Sequence, residues 1–439
     1  MKETDLIIIG AGPGGYKAAV HAAKHGLKVT IFEDAHVGGT CLNVGCIPTK
    51  TYVHSATFAE AIERQQQVVE QLRGGVETLL SHPNITLIRE RAAFADAHTI
   101  LSKSGEAFTA EHIIIATGSL PKMLPIPGAD SPRVVDSTGL LALKEQPKKL
   151  CIIGAGVIGM EFASVFQKFG SEVKVIEYLK ECLPMVDSDI AKRLRKLLEK
   201  RGITFRMKTA VQDLNEIDAD IILMATGRKA NTEGLNLEAA GIALAPNGTI
   251  PVDEHFRTLS NSPLKGEKQS STQVNSSQEV SPLRGDLEGS IFAIGDVNGR
   301  QMLAHAAEMQ GIHVVNRILG KQDNIRFEVM PAAIFTNPEA ACVGPTEDQL
   351  NEQGTPFECH KSFYRANGKA LAMNETEGMV KLCTEPDEGR ILSAHVFGAH
   401  AADIVQEVTA YITLGATLRQ LRDTVHIHPT LSEVLIEVN

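Results

Sequence analysis

The sequence lacks an excess of positive charge, because 43 Lys and Arg residues stand against 53 Asp and Glu residues, for a net charge of −10. Nucleic-acid binding needs clustered Lys and Arg to contact phosphates, and no basic run of that kind is present, so we expect no nucleic-acid partner. No apolar run approaches the ~18–20 residues that span a bilayer. The start, MKETDLIIIG, lacks the longer apolar core of a signal peptide. We therefore expect no membrane association and no export.

Cysteine is also scarce, and its count is odd. Seven cysteines are spread between Cys41 and Cys383, which does not fit the disulfide framework of a secreted protein. We therefore expect a reducing cytoplasm, where a disulfide is more often catalytic than structural. Five of the seven show no pairing pattern along the sequence: Cys151, Cys182, Cys342, Cys359 and Cys383.

The other two cysteines, Cys41 and Cys46, lie in the glycine-rich segment GGTCLNVGCIPTK, residues 38–50. They could form a structural bridge, contribute to a metal site together with His36, or act as a redox pair. A fourth metal ligand at the usual spacing is missing, so we predict no metal site. The choice between a structural pair and a reactive pair depends on the rest of the chain.

The first of two dinucleotide-binding fingerprints lies in DLIIIGAGPGG, which reads as a strand, a glycine turn and the start of a helix. Gly10 permits the tight turn, Gly12 lets the backbone approach a pyrophosphate, and Gly15 lets the helix pack close to its strand. The N-terminus of that helix offers N–H groups and a partial positive charge to phosphates. Glu33 ends the next strand, where a carboxylate can accept hydrogen bonds from a ribose.

The second fingerprint, in KLCIIGAGVIG, consists of Gly154, Gly156 and Gly159, with Glu177 at the matching strand end. Both copies close with Ala-Thr-Gly after a strand-like apolar run, at residues 116–118 and 225–227. A carboxylate at Glu177 would repel a 2′-phosphate, which favours NAD over NADP. Two such units predict two dinucleotide-binding domains.

Three further segments are distinctive. Residues 48–80 predict one long helix. Residues 259–288 are polar and rich in Ser, Gln, Asn and Lys, a composition that predicts a disordered insertion without a catalytic part. The stretch between Phe205 and Asp220 in the second nucleotide-binding unit is shorter than the strand meander expected there.

Four signatures resemble, in order, those of the pyridine nucleotide–disulfide oxidoreductases, and most closely those of the dihydrolipoyl dehydrogenases among them. They are the cysteine segment GGTCLNVGCIPTK, the turn GAGVIGMEF, the run IFAIGDV with the following MLAHAAEMQG, and the C-terminal HIHPTLSE. The resemblance covers nearly the whole chain. It implies that Cys41 and Cys46 are a catalytic redox pair.

The same resemblance implies an α/β fold with two Rossmann-like domains, for FAD and NAD, and a C-terminal α+β dimerisation domain. The implied division is a FAD-binding domain at 1–147, an NAD-binding domain at 148–258, the insertion at 259–288, a central segment completing the FAD site at 289–330, and the dimerisation domain at 331–439.

The resemblance also implies roles for individual side chains. Cys41 would exchange with substrate and Cys46 would lie against the flavin. His428, oriented by Glu433, would be the acid–base residue of a site completed by the partner subunit of a homodimer, with His426 as the rival. Lys50, beside the flavin, would pair with Glu161. The implied cofactor-binding residues are Gly10, Gly12, Pro13, Gly14, Gly15, Glu33, Gly39, Thr40, Cys41, Lys50, Thr117, Gly118, Ser119, Gly154, Gly156, Val157, Ile158, Gly159, Glu161, Glu177, Val211, Gly227, Gly295, Asp296, Met302, Leu303, Ala304 and His305.

The implied activity is the oxidation of protein-bound dihydrolipoamide to lipoamide, with electrons passing through the cysteine pair and FAD to NAD+. The implied partners are lipoyl-bearing acyltransferase subunits of 2-oxo acid dehydrogenase complexes, or a glycine cleavage lipoyl protein. Two alternatives stay open. One is an NAD(P)H-dependent reductase of another disulfide, and the other is a mainly structural peripheral subunit of such a complex.

Overall fold

The computed structural model describes residues 1–259 and 290–438. The predicted insertion at 259–288 lies outside the described residues except for its first position. The described chain forms two compact units, each assembled from separate stretches of sequence. The first unit comprises Met1–Ile47, Gln67–Leu120 and Arg228–Ile325, and the second comprises Pro48–Gln66, Pro121–Gly227 and Arg326–Asn439. The division into functional domains stays a prediction.

Along the first third of the chain, strands and helices alternate and then give way to a strand meander. The elements are β1 (Lys2–Ile9), α1 (Pro13–Lys24), β2 (Val29–Phe32), α2 (Gly39–Val44), α3 (Cys46–Val53), α4 (Phe58–Leu80), β3 (Ile85–Ile88), β4 (Ala92–Phe94), β5 (Thr99–Ser102), β6 (Ala107–Ile115) and β7 (Ser119–Pro121).

The middle third repeats the strand–helix alternation. Its elements are β8 (Val134–Val135), α5 (Ser137–Leu141), β9 (Lys149–Ile153), α6 (Val157–Lys168), β10 (Glu172–Ile176), α7 (Ser188–Lys200), β11 (Thr204–Arg206), β12 (Ile221–Met224), β13 (Arg228–Ala230) and the 3-10 helix η1 (Leu237–Ala240).

The last part of the described chain is richer in antiparallel strands. It contains β14 (Ile291–Ala293), η2 (Gly295–Asn298), α8 (Ala304–Ile318), β15 (Ala332–Ile334), β16 (Glu339–Val343), α9 (Glu347–Gln353), β17 (Glu358–Phe363), η3 (Tyr364–Ala366), α10 (Gly368–Met373), β18 (Met379–Thr384), β19 (Ile391–Gly398), α11 (Ala401–Thr413), α12 (Leu418–Asp423) and η4 (Ser432–Leu435).

The first unit is built on a sheet in the order β3-β2-β1-β6-β5-β4, with β14 paired to β6. Strand β1 pairs in parallel with both β2 and β6, which makes it a central strand, and its C-terminal half is buried on both faces. This explains the continuous apolar run in the sequence: residues 6–9 are buried. Burying each such side chain contributes roughly 1.5–3 kcal/mol to folding.

The second unit contains a parallel sheet in the order β11-β10-β9-β12-β8 and an antiparallel sheet in the order β15-β16-β19-β18-β17. The chain between β11 and β12 has no helix or strand, in keeping with its short length. The antiparallel sheet packs one face against α11 through Val380, Leu382, Val396, Val405 and Val408. Together with the first unit, these sheets confirm the predicted α/β fold class.

The segment predicted as one helix over 48–80 is two helices, α3 and α4, because residues 54–57 form a turn between them. The Arg64 guanidinium donates to the His54 carbonyl at 2.8 Å and to Ser55 Oγ at 3.1 Å. Lys168 Nζ donates to the carbonyl of Ser55 at 2.8 Å. Only the Lys168 contact comes from a distant position. The start of α4 is also capped locally, because Thr57 Oγ1 accepts from the Glu60 N–H at 3.2 Å, a signal that periodicity alone does not show.

No helix in residues 1–259 and 290–438 is both long and apolar enough to cross a membrane. Within the same residues, no group of three or more His, Cys, Asp and Glu side chains is arranged to bind a metal ion.

Candidate functional site

In the first glycine turn, two glycines are required by packing within the chain. Gly10 has a φ of +103°, and a Cβ there would lie 2.4 Å from the Ala116 carbonyl oxygen. A Cβ at Gly15 would lie 1.9 Å from the Gly10 carbonyl oxygen. A side chain at either position would therefore force the turn away from β6 or lift α1 off the turn.

The middle glycine of each turn has no such requirement. Gly12 has an ordinary extended φ of −70°, and the nearest described atom to a Cβ there is 3.9 Å away. Gly156 has a φ of −75° and no described atom within 4 Å of the Cβ position. Among the described residues, no side chain caps α1 or α6 at these glycines. Each turn thus keeps an open approach to the backbone N–H groups of a helix N-terminus, which fits a pyrophosphate.

This difference makes Gly156→Ala an informative substitution. The added methyl group meets no described atom and causes no backbone strain, so we expect an unchanged melting temperature. If the open space receives the pyrophosphate of NAD(H), the affinity of the Gly156→Ala protein for NADH should fall by at least about tenfold, or ~1.4 kcal/mol. A fluorescence titration with NADH measures this affinity. The contrasting variant is Gly159→Ala, whose Cβ would lie 2.0 Å from the Gly154 carbonyl oxygen and should lower the melting temperature. Unchanged NADH affinity in Gly156→Ala would contradict this assignment.

The two acidic residues at the strand ends bind back onto their own glycine turns. Glu33 accepts hydrogen bonds from the N–H groups of Ala11 and Ala35, both at 2.9 Å, and burial raises its pKa above the ordinary value. Glu177 likewise accepts from Ala155 and Leu179, at 2.5 and 2.7 Å. A carboxylate has about four acceptor sites, so both side chains can still accept a ribose hydroxyl. Shaping the turn is a second role, which the sequence did not indicate.

A polar cluster in the first unit contains Asp296, the residue predicted to contact the ribityl chain. Ser119 Oγ donates to Asp296 Oδ2 at 2.5 Å, and Arg228 Nε donates to Ser119 Oγ at 2.7 Å. Gln310 on α8 accepts from the Gly295 N–H at 2.8 Å and so fixes the turn that carries Asp296. Sequence reasoning missed Arg228 and Gln310. The position of Arg228 directly after Ala-Thr-Gly was the available signal.

The remaining predicted FAD-site residues lie at the ends of helices and strands of the first unit. Pro13 and Gly14 begin α1, Gly39 and Thr40 begin α2, Thr117 and Gly118 join β6 to β7, Met302 and Leu303 precede α8, and Ala304 and His305 begin it. Thr117 Oγ1 donates to the Asn231 carbonyl at 2.7 Å. Met302 and His305 are exposed.

The two cysteines of the predicted redox pair lie on consecutive short helices: Cys41 on α2 and Cys46 at the start of α3. Cys41 is half-buried and Cys46 is exposed. Asn43, between them, donates from Nδ2 to the Gly39 carbonyl at 2.9 Å, and its Oδ1 accepts from the Arg73 guanidinium at 2.8 Å. Asn43 and Arg73 are therefore positioning residues for α2, and the sequence did not reveal them.

Tyr16 is a further neighbour of Cys41. Its pKa rises to about 12, first because the phenol is buried and then because Glu308 and Cys41 would place negative charge near a phenolate. At neutral pH the Tyr16 hydroxyl therefore keeps its proton.

In the second unit, the structure brings Lys50 and Glu161 together. Lys50 Nζ donates to both carboxylate oxygens of Glu161 at 2.8 Å, and Glu161 is only 3% exposed. The Phe335 N–H also donates to Glu161 at 2.9 Å, and Lys50 Nζ lies 4.7 Å from the centre of the Phe335 ring. A buried carboxylate thus fixes the ammonium group. Its place beside a flavin remains a prediction.

The C-terminal segment contains two histidines with different environments. His428 Nδ1 lies 2.9 Å from Glu433 Oε1, and the His428 side chain is 79% exposed. His426 is 5% exposed and uses both ring nitrogens, at 2.8 Å from the Thr424 carbonyl and 2.9 Å from Glu407. Only the His428 ring leaves Nε2 open to an incoming group, with no partner for it among the described residues. This favours His428 over His426 as the acid–base residue.

Glu433 is itself held in place. Its Oε2 accepts from the Thr430 N–H at 2.8 Å. This hydrogen bond, followed by the one with His428, lowers the pKa of Glu433 below its ordinary value. The carboxylate is therefore ionised at neutral pH and can orient the imidazole and stabilise its cation.

The remaining residues predicted for NAD lie around the second glycine turn. Val157 and Ile158 begin α6, and Gly227 directly follows β12 and its Ala-Thr dipeptide. Val211 is half-buried and packs against the apolar cluster that contains Leu214 and Ile222.

Comparison with known proteins identifies two family regions in the chain. Residues 4–263 match the pyridine nucleotide-disulphide oxidoreductase family, and residues 330–438 match its dimerisation domain. Together they cover most of the sequence.

Individual relatives are similar over nearly their whole length. Dihydrolipoyl dehydrogenase of Chlamydia muridarum is 36% identical over 471 residues, covering 99% of this chain and 95% of that protein. The dihydrolipoyl dehydrogenase of Bacillus subtilis is 35% identical over 480 residues, with the same coverage. Among solved structures, the Cu(II) complex of the HOCl-induced flavoprotein disulfide reductase RclA from Escherichia coli matches with a TM-score of 0.87 and 32% identity, covering 99% of both chains.

Proposed function

Because this chain belongs to the class I pyridine nucleotide–disulfide oxidoreductases, we propose that it is a dihydrolipoyl dehydrogenase. It would oxidise protein-bound dihydrolipoamide to lipoamide and reduce NAD+. Members of the family use FAD and NAD(H). The observation that carries the proposal is the joint presence of Cys41 and Cys46 on α2 and α3 and of His428 bonded to Glu433.

The chain's own residues account for the dithiol half of this reaction. With Cys41 and Cys46 joined as a disulfide, a substrate thiolate attacks Cys41 Sγ, and Cys46 leaves as a thiolate. The second substrate thiol then attacks the substrate sulfur bound to Cys41, which closes the lipoamide ring and releases Cys41. The substrate loses two electrons and two protons, and the cysteine pair gains the electrons. The turn at Gly10 and the cluster around Asp296 would hold FAD, which would supply a two-electron carrier between the cysteine pair and NAD+.

His428 accepts the proton of the attacking substrate thiol in this scheme, because only the thiolate is nucleophilic. The proton of the second substrate thiol goes to the Cys41 thiolate that this thiol displaces. Glu433 would hold the ring with Nε2 outward and stabilise the imidazolium. The exposure of His428 supports a site shared across a dimer interface. Its location within the dimerisation domain at 330–438 is in keeping with a homodimer.

Glu177 supports NAD as the acceptor. Its two carboxylate oxygens are fixed by backbone N–H groups, so the negative charge cannot swing away from an incoming 2′-phosphate. The repulsion would disfavour NADP.

The partners we propose carry lipoyl groups, on an acyltransferase subunit of a 2-oxo acid dehydrogenase complex or on a glycine cleavage lipoyl protein, in the cytoplasm. The basis is the similarity to dihydrolipoyl dehydrogenases over 99% of the chain.

A second candidate is a reductase of another disulfide. It is favoured by the likeness to RclA, a flavoprotein disulfide reductase, at a TM-score of 0.87. The cysteine pair and His428 would serve either activity, because thiol–disulfide exchange is reversible.

Steady-state reduction by NADH distinguishes the two candidates. An exposed exchange site without a substrate-specific pocket would give little selectivity between small disulfides. For a dihydrolipoyl dehydrogenase we therefore expect lipoamide to be reduced with a kcat/KM at least about 100-fold above that for glutathione disulfide. Similar values for the two disulfides, or a preference for glutathione disulfide, would favour the general reductase. NADPH in place of NADH is the matched control for Glu177.

A further inference from the structure

Two cysteines that show no pairing pattern along the sequence meet across the antiparallel sheet of the second unit. Cys359 on β17 and Cys383 on β18 are direct cross-strand partners. Their Sγ atoms lie 3.0 Å apart. Directly opposed residues in an antiparallel pair have Cα atoms about 4.5–5.5 Å apart, which lies within the range that a disulfide spans. The backbone therefore already has the spacing that a covalent bond between these sulfurs needs.

The pair lies on the polar face of the sheet. Side chains alternate between faces along a strand, so Cys383 shares its face with Lys381, while Val380 and Leu382 face the apolar core. Lys381 is buried and donates to both carboxylate oxygens of Asp187 at 2.8 Å. Lys381 also donates to Glu347, so the ammonium group on this face is paired with two carboxylates.

Ser393 on β19 is opposite Cys383 on its other side. Its hydroxyl is buried, and its interaction with the Cys383 sulfur acts to lower the pKa of that thiol. Its position beside Cys383 makes it available to stabilise negative charge on that sulfur.

The two thiols differ in a way that suits sequential exchange. Cys359 is partly exposed, whereas Cys383 is fully buried. Either thiol can act as the donor in the contact between them. An external reagent therefore reaches Cys359 first, and Cys383, whose Sγ lies 3.0 Å from that of Cys359, is placed to attack next.

We propose that Cys359 and Cys383 form a second redox pair, separate from Cys41 and Cys46, that a low-molecular-weight disulfide converts into a cross-strand disulfide. In the first step, the Cys359 thiolate attacks the small disulfide, forms a mixed disulfide and releases one small thiol. In the second, the Cys383 thiolate attacks Cys359 Sγ and releases the other. The protein pair loses two electrons and two protons, which convert the small disulfide into two thiols.

The new bond would fix a part of the fold that supports His428. The loop that it closes spans 24 positions and includes Ser362 and Asn367. Ser362 Oγ donates to the Val434 carbonyl at 2.6 Å, and Asn367 Nδ2 donates to the Thr430 carbonyl at 3.1 Å. These contacts hold the segment that carries Glu433. Oxidation would therefore stiffen the strands on which this segment rests.

The test equilibrates the folded FAD-loaded protein in buffers of glutathione and glutathione disulfide, followed by acid quenching, alkylation and peptide mapping. Cleavage after glutamate separates Cys359 from Cys383 and both from Cys342. We expect a linked pair of peptides, lighter by two hydrogen atoms than the two thiol peptides, in the oxidising buffers. We also expect slower amide hydrogen exchange across residues 359–384.

Two variants make the assignment specific. Cys359→Ala should abolish both the linked peptides and the slower exchange. Cys342→Ala changes a buried cysteine in β16 of the same sheet and should retain both. Two outcomes overturn the proposal in the wild-type protein, whatever the variants do. In the first outcome, Cys359 and Cys383 both stay as thiols in excess glutathione disulfide. In the second, Cys359 carries a glutathione adduct and no cross-strand bond forms.

Discussion

Cys46→Ser is expected to abolish dithiol oxidation while FAD remains bound. A serine hydroxyl cannot form a disulfide with Cys41 or leave as a thiolate, so the exchange has no oxidised partner to begin from. We expect the turn at Gly10 and the cluster of Ser119, Asp296 and Arg228 to keep their wild-type contacts in this variant. Turnover with dihydrolipoamide and NAD+ should fall to background, and the visible flavin spectrum should show full occupancy.

The matched control for this experiment is Cys342→Ala, which removes a cysteine that takes no part in the proposed exchange and should leave turnover near the wild-type value. The account would be contradicted by a Cys46→Ser protein with wild-type dithiol oxidation. Loss of the flavin together with activity would instead show that residue 46 is needed to bind the cofactor. The role of the cysteine pair in exchange would then be tested with the Cys41→Ser variant.

His428→Gln should lower turnover by roughly 10²–10⁴-fold, the usual contribution of a positioned acid–base residue. Glutamine keeps a polar group near Glu433 but cannot take up a proton from a substrate thiol. Because a thiol has a pKa of about 8.5, the residual rate should rise about tenfold per pH unit below that value. The measurement is kcat against pH, with the wild-type protein beside it.

His426→Gln is the paired control. Both ring nitrogens of His426 are occupied by Thr424 and Glu407, and the side chain is buried, so its loss should act on stability more than on the pH profile of kcat. If His426→Gln shows the large loss of kcat and the new pH dependence, while His428→Gln does not, the assignment of the base is wrong.

The parts of this protein that the sequence predicted are the parts set by local geometry. A glycine turn between a strand and a helix needs glycine at fixed offsets. The spacing of glycines along the sequence therefore predicted Gly10 and Gly15, and likewise Gly154 and Gly159 in the second turn. The buried runs of β1 and β9 follow from the same logic, because a central parallel strand is covered on both faces. The fold class could therefore be inferred from a few short segments.

What the sequence did not reveal depends on contacts between distant positions. Arg73 reaches Asn43 across 30 positions, and Arg228 reaches Ser119 across 109. Lys168, which donates to the Ser55 carbonyl at the break between α3 and α4, is more than 110 positions away. The contact between Cys359 and Cys383 depends on the register of strands β17 and β18. The spacing of residues along the sequence does not predict this register.

The most direct measurement of the central claim is the initial rate of NADH formation when the purified flavoprotein meets dihydrolipoamide and NAD+, with NADP+ in a parallel reaction. The account predicts rapid NADH formation and little reduction of NADP+, because Cys41, Cys46 and His428 oxidise the dithiol and Glu177 disfavours a 2′-phosphate. No NADH formation, from a dimeric protein with FAD bound, would contradict the proposed activity on dihydrolipoamide while leaving the family assignment in place.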